Sequence, residues 1–207
     1  MESTSGLATN CIEIFNKSIN DYHINNNVNH PCKNPYPEKS IERILYLKNW
    51  IDTVQWHFED IIRDPNIDPK EGIILKRKID KSNQERTDLV EKIDDYYIDL
   101  FKNIIPDTNA KLNTESPGWV VDRISILCLK IYHMQEQAER SDVEEEHINS
   151  CNSKLSILKE QQNDLSSSFE ELLDDLKKGI KTIKVYRQMK MYNDSSLNPV
   201  LYKNKSN

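Results

Sequence analysis

The stretch Trp119–Met134 reads WVVDRISILCLKIYHM and is the most apolar segment of the chain. It is apolar on nearly every side, yet it carries Asp122, Arg123, Lys130 and His133. A helix that is apolar all round belongs at the centre of a structure. Charges in such a place are costly unless they are paired or used. Val120, Val121, Ile124, Ile126 and Ile131 are β-branched and would also suit a strand. No second strong strand candidate exists to pair with it, so the spacing is read as a helix over 117–139, started by Ser116 and Pro117.

Downstream, Ser141 and Glu144 have capping-box spacing and predict a helix over 142–178. Its apolar stripe is Ile148, Cys151, Leu155, Leu158, Gln162, Leu165, Phe169, Leu172 and Leu176. Unbroken, it would be roughly 55 Å long, enough for the spine of a bundle. Its exposed faces are acidic. Lys177, Lys178 and Gly179 look like a helix C-terminus with glycine in the left-handed position. Over 180–207 the charge reverses: Lys181, Lys184, Arg187, Lys190, Lys203 and Lys205 stand against Asp194, with Tyr186, Tyr192 and Tyr202 between them. Such a basic C-terminal segment suits a phosphate-bearing ligand or nucleic acid, and equally a place along the acidic fifth helix.

Upstream, Asp68, Pro69 and Glu71 open a helix over 69–104. Its ends are amphipathic, but its middle, KSNQERTD from Lys81, has no apolar face. Ser82 and Arg86 stand where the stripe should continue, so that turn is either uncovered or meets a polar layer, which must be fully hydrogen-bonded if buried. A helix over 38–64 precedes it, ended by Pro65, with the stripe Ile44, Leu47, Ile51, Val54, Phe58 and Ile61 facing the core. A second stripe, Asn49, Asp52, Trp56, Glu59 and Arg63, shares another face and reads as a solvated surface or as a ligand wall. Leu7, Cys11, Ile14, Phe15 and Ile19 give a first helix over 7–21, followed by an Asn- and Pro-rich loop.

Four glycines among 207 residues, with Leu, Ile, Lys, Glu, Asp and Gln prominent, favour long helices. The expected fold is all-α: a single bundle of five to six helices forming one domain over 1–207, with one long C-terminal helix and a basic tail. A formal charge of −6 gives no general reason to expect nucleic acid as partner. MESTSGLATN lacks the basic and apolar regions of a signal peptide, and Ile124–Tyr132 is too short to span a bilayer. The expected location is cytoplasmic. Cys11, Cys32, Cys128 and Cys151 have no CxxC spacing and are expected as reduced thiols.

Four blocks stand out together: LYLKNWIDTVQWHFEDIIRDP from Leu45, IDKSNQERTDLVEKID from Ile79, NTESPGWVVDRISILCLKIYHM from Asn113, and KVYRQMKMYND with LNPVLY towards the end. They resemble, over nearly the whole chain, the bacterial family called domain of unknown function 4254. The resemblance implies a helical, cytoplasmic protein with glycosyltransferases of envelope polysaccharide as gene neighbours. It brings no established activity, and the cofactor stays unknown. The polar groups hardest to explain as core fall inside those blocks.

Lys130 and His133 are neighbours at i, i+3, and histidine is the natural proton carrier near neutral pH. Asp122 and His133 share a face but lie roughly 16 Å apart along the axis, so they form no dyad. The expected site is a polar interior between the second, third and fourth helices that binds an anionic small molecule, a sugar phosphate or nucleotide-sugar fragment. Arg86, Arg123 and Lys130 would hold the charge beside Asn49, Asp52 and Asn83, with Arg187 and Lys190 closing from the tail. Asp122 would orient an arginine, and His57 or His133 would move protons if there is chemistry. No metal is assigned in this reading. A competing class is a non-catalytic adaptor that contacts a protein partner or a second copy of the chain. A third is a magnesium-dependent nucleotide pyrophosphohydrolase, which requires Glu59, Asp60, Glu85 and Asp88 to converge. Glycine-rich phosphate loops and nucleophile elbows are missing from the sequence.

Overall fold

The computed structural model describes residues 6–189, 191 and 194–203. It is an all-α bundle of helices α1 (Leu7–His23), α2 (Ile41–Ile62), α3 (Pro69–Phe101), α4 (Pro117–Ala138), α5 (Glu145–Lys177) and the short α6 (Pro199–Lys203). The opening stretch lies in α4, which packs against α1, α2, α3 and α5. Val121, Ile124 and Leu129 are wholly buried there, together with Phe15 and Ile19 of α1, Ile93 of α3 and Phe169 and Leu173 of α5. The apolar surround of α4 is thus met by a helix on each side, and its charged residues are placed by those neighbours.

The helix ends follow local chemistry. The Asp68 carboxylate accepts from the amides of Lys70 and Glu71 and caps α3 ahead of Pro69. Gly179 closes α5 at φ 71°, the left-handed conformation that glycine adopts without strain. At the start of α4 the cap comes from another helix. Ser116 does not cap with its own side chain; its hydroxyl donates to Asp94 Oδ2 at 2.6 Å, and Asp94 Oδ1 accepts from the Gly118 amide at 2.6 Å. The expected capping box at Ser141 does not form, and α5 begins at Glu145 after an N-cap glutamate that makes no cap bond.

Two expectations about the C-terminal part are corrected. The long helix α5 is not the last, since α6 follows it, and α3 equals it at 33 residues. Nor do the described residues after it form a free basic tail. Lys181 and Thr182 pair in parallel with Lys111 and Leu112 as a two-stranded ladder, Lys181 meets Asp175 of α5 at 3.1 Å, and Arg187 is bound to α3 by Glu91 and Asp95.

A third correction concerns the orientation of α2. Of the stripe assigned to the core, Phe58 is buried and Ile44 and Val54 pack against the core from partly buried positions, but Ile61 is exposed, and the most buried face is the one that carries Leu45, Tyr46, Lys48, Asn49, Trp50, Asp52 and Thr53. The helix is turned so that half of its polar stripe faces α3 and α4. That orientation is tolerable because the buried polar groups find partners of opposite charge there.

Candidate functional site

The interior face of α2 carries Lys48 and Asp52 one turn apart, both side chains fully shielded from solvent. The Lys48 ammonium is ion-paired to Asp52 and lies 2.8 Å from Asp122 Oδ1 of α4. On the other side of Asp122, Arg86 of α3 forms a two-pronged pair, Nε to Oδ1 at 2.9 Å and Nη2 to Oδ2 at 2.5 Å. Ser125 donates to Asp52 Oδ2 at 2.6 Å and accepts from Asn49 Nδ2 at 3.1 Å. Asp52 Oδ1 accepts no hydrogen bond and is met only by the 3.4 Å approach of Arg86 Nε. Two cations and two carboxylates from three helices therefore form a neutral, buried set, which is how buried charge is normally accommodated.

The two carboxyls respond in opposite directions. Burial pushes Asp52 up, helped by the neighbouring Asp122 charge and opposed by Lys48. Burial also pushes Asp122 up, but Lys48 and Arg86 together outweigh it and leave Asp122 below its ordinary value of 3.8. A carboxyl with a depressed folded-state pKa contributes stability above its unfolded value and loses it as pH falls through the folded one. A raised carboxyl does the reverse, so Asp52 favours the fold less as pH climbs from 3.8 through its own folded value. The stability gap between wild type and Asp122→Asn is accordingly expected to be widest near neutral pH and to narrow below pH 3.8. Urea unfolding at several pH values would check this; a gap independent of pH would show that Asp122 does not act through its charge.

Arg86 is the member of this set that reaches solvent, with its side chain 27% exposed. It opens onto a groove of about 640 Å³ between α4 and α5, where Arg123 and Lys130 also stand, two turns apart on one face of α4. Asp164 and Ser168 of α5 line the opposite wall. Arg123 is exposed and paired with Glu115 at 2.9 Å; Lys130 makes no ion pair among the described residues. A second cavity of about 280 Å³ shares Arg86 and Ile126 with the first and continues past Trp56 to Asp60.

Other residues named from the sequence fall elsewhere. Asn83 accepts from Gln55 at 2.8 Å, and Ser82 donates to the same glutamine at 3.1 Å, so the uncovered middle of α3 meets α2 through a polar layer. Arg187 does not close over the groove, because Glu91 and Asp95 on α3 engage its guanidinium. Lys190 lies outside the described residues. The carboxylates of the magnesium reading do not converge: Glu59 pairs with Arg63, Asp60 faces His57, Glu85 pairs with Lys81, and Asp88 accepts from Gln84. Each already has its own neighbour on its own helix, which removes the oxygen cage that magnesium needs.

His57 and His133 do not line the groove. They meet His23 at the end of α1, and one ring nitrogen of each lies within 4.8 Å of those of the other two. Tyr22 stacks on His57, Trp56 on His133 and Tyr132 on His23. Burial lowers the pKa of His57, with His133 and His23 adding to the effect, and burial likewise lowers that of His23. Sequence reasoning missed Lys48 and His23. Lys48 stands four residues before Asp52 on the same face, a spacing that points to an ion pair. His23 lies one turn beyond the core residue Ile19, with no signal of its own.

What these features define is a helical bundle with a buried ion network opening onto a groove that carries Arg86, Arg123, Lys130 and Asp164. The protein-family model described as "Protein of unknown function (DUF4254)" matches residues 42–185, and the chain belongs to that family. No curated protein and no solved structure matches. The match spans α2 to α5, and so includes the ion network and the groove but not His23. Among the described residues, no helix is long and apolar enough to cross a membrane.

Proposed function

We propose that the protein, acting as one domain, binds an anionic small molecule in the groove between α4 and α5. The observation that carries this reading is the convergence of Arg86, Arg123 and Lys130 on one concavity. Asp122 fixes the Arg86 guanidinium in a planar fork, which presents its remaining N–H groups outward in the geometry that suits phosphate. Arg123 can exchange its exposed Glu115 partner for a ligand at little cost, since such surface pairs are worth about 0–1 kcal/mol. Lys130 adds a flexible point charge. The ligand class we favour is a sugar phosphate or the diphosphate part of a nucleotide sugar. Asp164 and Ser168 offer acceptors to sugar hydroxyls across the groove, which supports that choice.

The test is a thermal-shift screen against sugar phosphates, nucleotide sugars and nucleotides, with and without magnesium. A ligand at a hundred times its Kd stabilises the native state by about 2.7 kcal/mol, which raises the melting temperature by several degrees. Lys130→Ala, at an exposed position, is expected to melt like wild type without ligand and to lose most of the shift with it. A shift that persists in both Lys130→Ala and Arg123→Ala would place the ligand elsewhere. No shift with any compound would turn the reading to a helical adaptor for a protein partner or a second copy of the chain.

A further inference from the structure

The three histidines form a cluster independent of the groove, and their hydrogen bonds leave it incomplete. His23 Nδ1 lies 2.7 Å from the Ile19 carbonyl, an acceptor only, so this nitrogen carries the proton and the neutral ring presents a bare Nε2. His133 Nδ1 lies 2.7 Å from Glu136 Oε2 and is protonated for the same reason, while its Nε2 is buried without a partner. His57 Nδ1 faces Asp60 Oδ2 at 3.7 Å, and its Nε2 is 3.3 Å from His23 Nε2. If His57 gave its one proton to His23, its Nδ1 would turn a lone pair towards the Asp60 carboxylate. If it gave that proton to Asp60, two bare nitrogens would face each other at 3.3 Å. Neither tautomer satisfies both sides, and neither supplies a partner for His133.

A cation shared by the three Nε2 atoms satisfies every one of these constraints. We infer that His23, His57 and His133 form a binding site for a divalent first-row transition ion, with zinc as the representative. The Nδ1–H groups of His23 and His133 then donate to oxygens that fix their rings, the Ile19 carbonyl and Glu136, and that of His57 faces Asp60 at 3.7 Å. Metal-bound histidines are characteristically supported in this way. Two nitrogens bound tetrahedrally to zinc at 2.0–2.1 Å are about 3.3 Å apart, matching the observed separation of 3.3 Å between His23 and His57. The aromatic rings of Tyr22, Trp56 and Tyr132 limit rotation of the imidazoles. Three neutral imidazoles leave the ion's charge uncompensated, and Asp60 and Glu136 lie next to it to offset that charge. Among the described residues no fourth histidine, cysteine or carboxylate joins the group. Water or a molecule from solution would complete the coordination, as in catalytic rather than structural zinc sites.

The experiment is a titration of the chelator-treated full chain with cobalt(II), followed by visible absorption, then displacement by zinc. The expected result is one equivalent of cobalt bound with the intense d–d bands of a four- or five-coordinate nitrogen site, and loss of those bands on adding zinc. His23→Ala, His57→Ala and His133→Ala should each abolish them. Should these variants not fold, Glu136→Gln and Asp60→Asn decide, because both positions are exposed: loss of a supporting carboxylate is expected to weaken metal binding by roughly 10–100-fold. Absence of the bands in wild type, wild-type affinity in all three folded histidine variants, or unchanged affinity in both carboxylate variants would overturn the inference.

Discussion

Replacing Lys48 with methionine is expected to destabilise the protein by about 3–5 kcal/mol, the loss typical of breaking a buried ion pair from one side. Methionine reproduces much of the lysine stem, so little of the effect would come from packing. The damage is electrostatic: Asp52 and Asp122 would be left in a shielded interior with Arg86 as their common counter-ion. The double variant Lys48→Met/Asp52→Asn restores the balance of one cation to one carboxylate, and it is expected to recover a substantial part of the loss. Urea unfolding of both variants measures the coupling directly. A cost below about 1 kcal/mol for Lys48→Met would put the pair in the range of exposed ion pairs and would contradict the buried network.

Gly118→Ala is the second large effect. A Cβ at this position would stand 2.5 Å from the Val90 carbonyl oxygen and 2.7 Å from Asp94 Oδ1. The first is main chain in the middle of α3, so no rotamer change relieves it; α4 must move away from α3. Overpacking of this kind costs typically 1–3 kcal/mol, and a backbone clash belongs at the upper end, about 3 kcal/mol. The same movement breaks the contact by which Asp94 caps α4. Asp94→Ala removes that cap alone and is expected to cost about 1 kcal/mol. Because the two substitutions act on one contact, their effects should sum to less than the parts when combined. Full additivity in thermal or urea unfolding would show that the clash and the cap are separate.

Both predictions concern residues that link α2, α3 and α4, and those links also place the groove. Arg86 points into it because Asp122 holds the guanidinium, and Asp122 can be ionised in the interior because Lys48 is beside it. Destabilising the network should therefore weaken the proposed anion binding as well as the fold. The histidine cluster stands apart from this chain of contacts. It is built at the junction of α1, α2 and α4, and its integrity depends on the packing of α1.

Local sequence chemistry set the start of α3 through Asp68 and Pro69, the start of α4 at Pro117 and the stop of α5 at Gly179, because caps and breakers act on neighbours a few residues away. It determined that α4 is central, because a helix apolar on all sides must be surrounded. It also marked Asp52, Arg86 and Asp122 as hard to explain as core, and left the Ser82–Arg86 turn of α3 either uncovered or against a polar layer. Which face of α2 turns inward depended on the neighbouring helices. Two stripes competed there, and the polar one turns inward at Asn49 and Asp52 because Asp122 of α4 and Arg86 of α3 complete the charge balance that Lys48 and Asp52 begin within α2. Only the tertiary structure brought Lys48 between two aspartates, bound Arg187 to α3 instead of the groove, and gathered His23, His57 and His133 from three helices. Periodicity tells which residues share a face of one helix. It does not tell which other helix that face will meet, and the contacts that complete these sites, Lys48 to Asp122, Arg86 to Asp122 and His23 to His57, lie between helices.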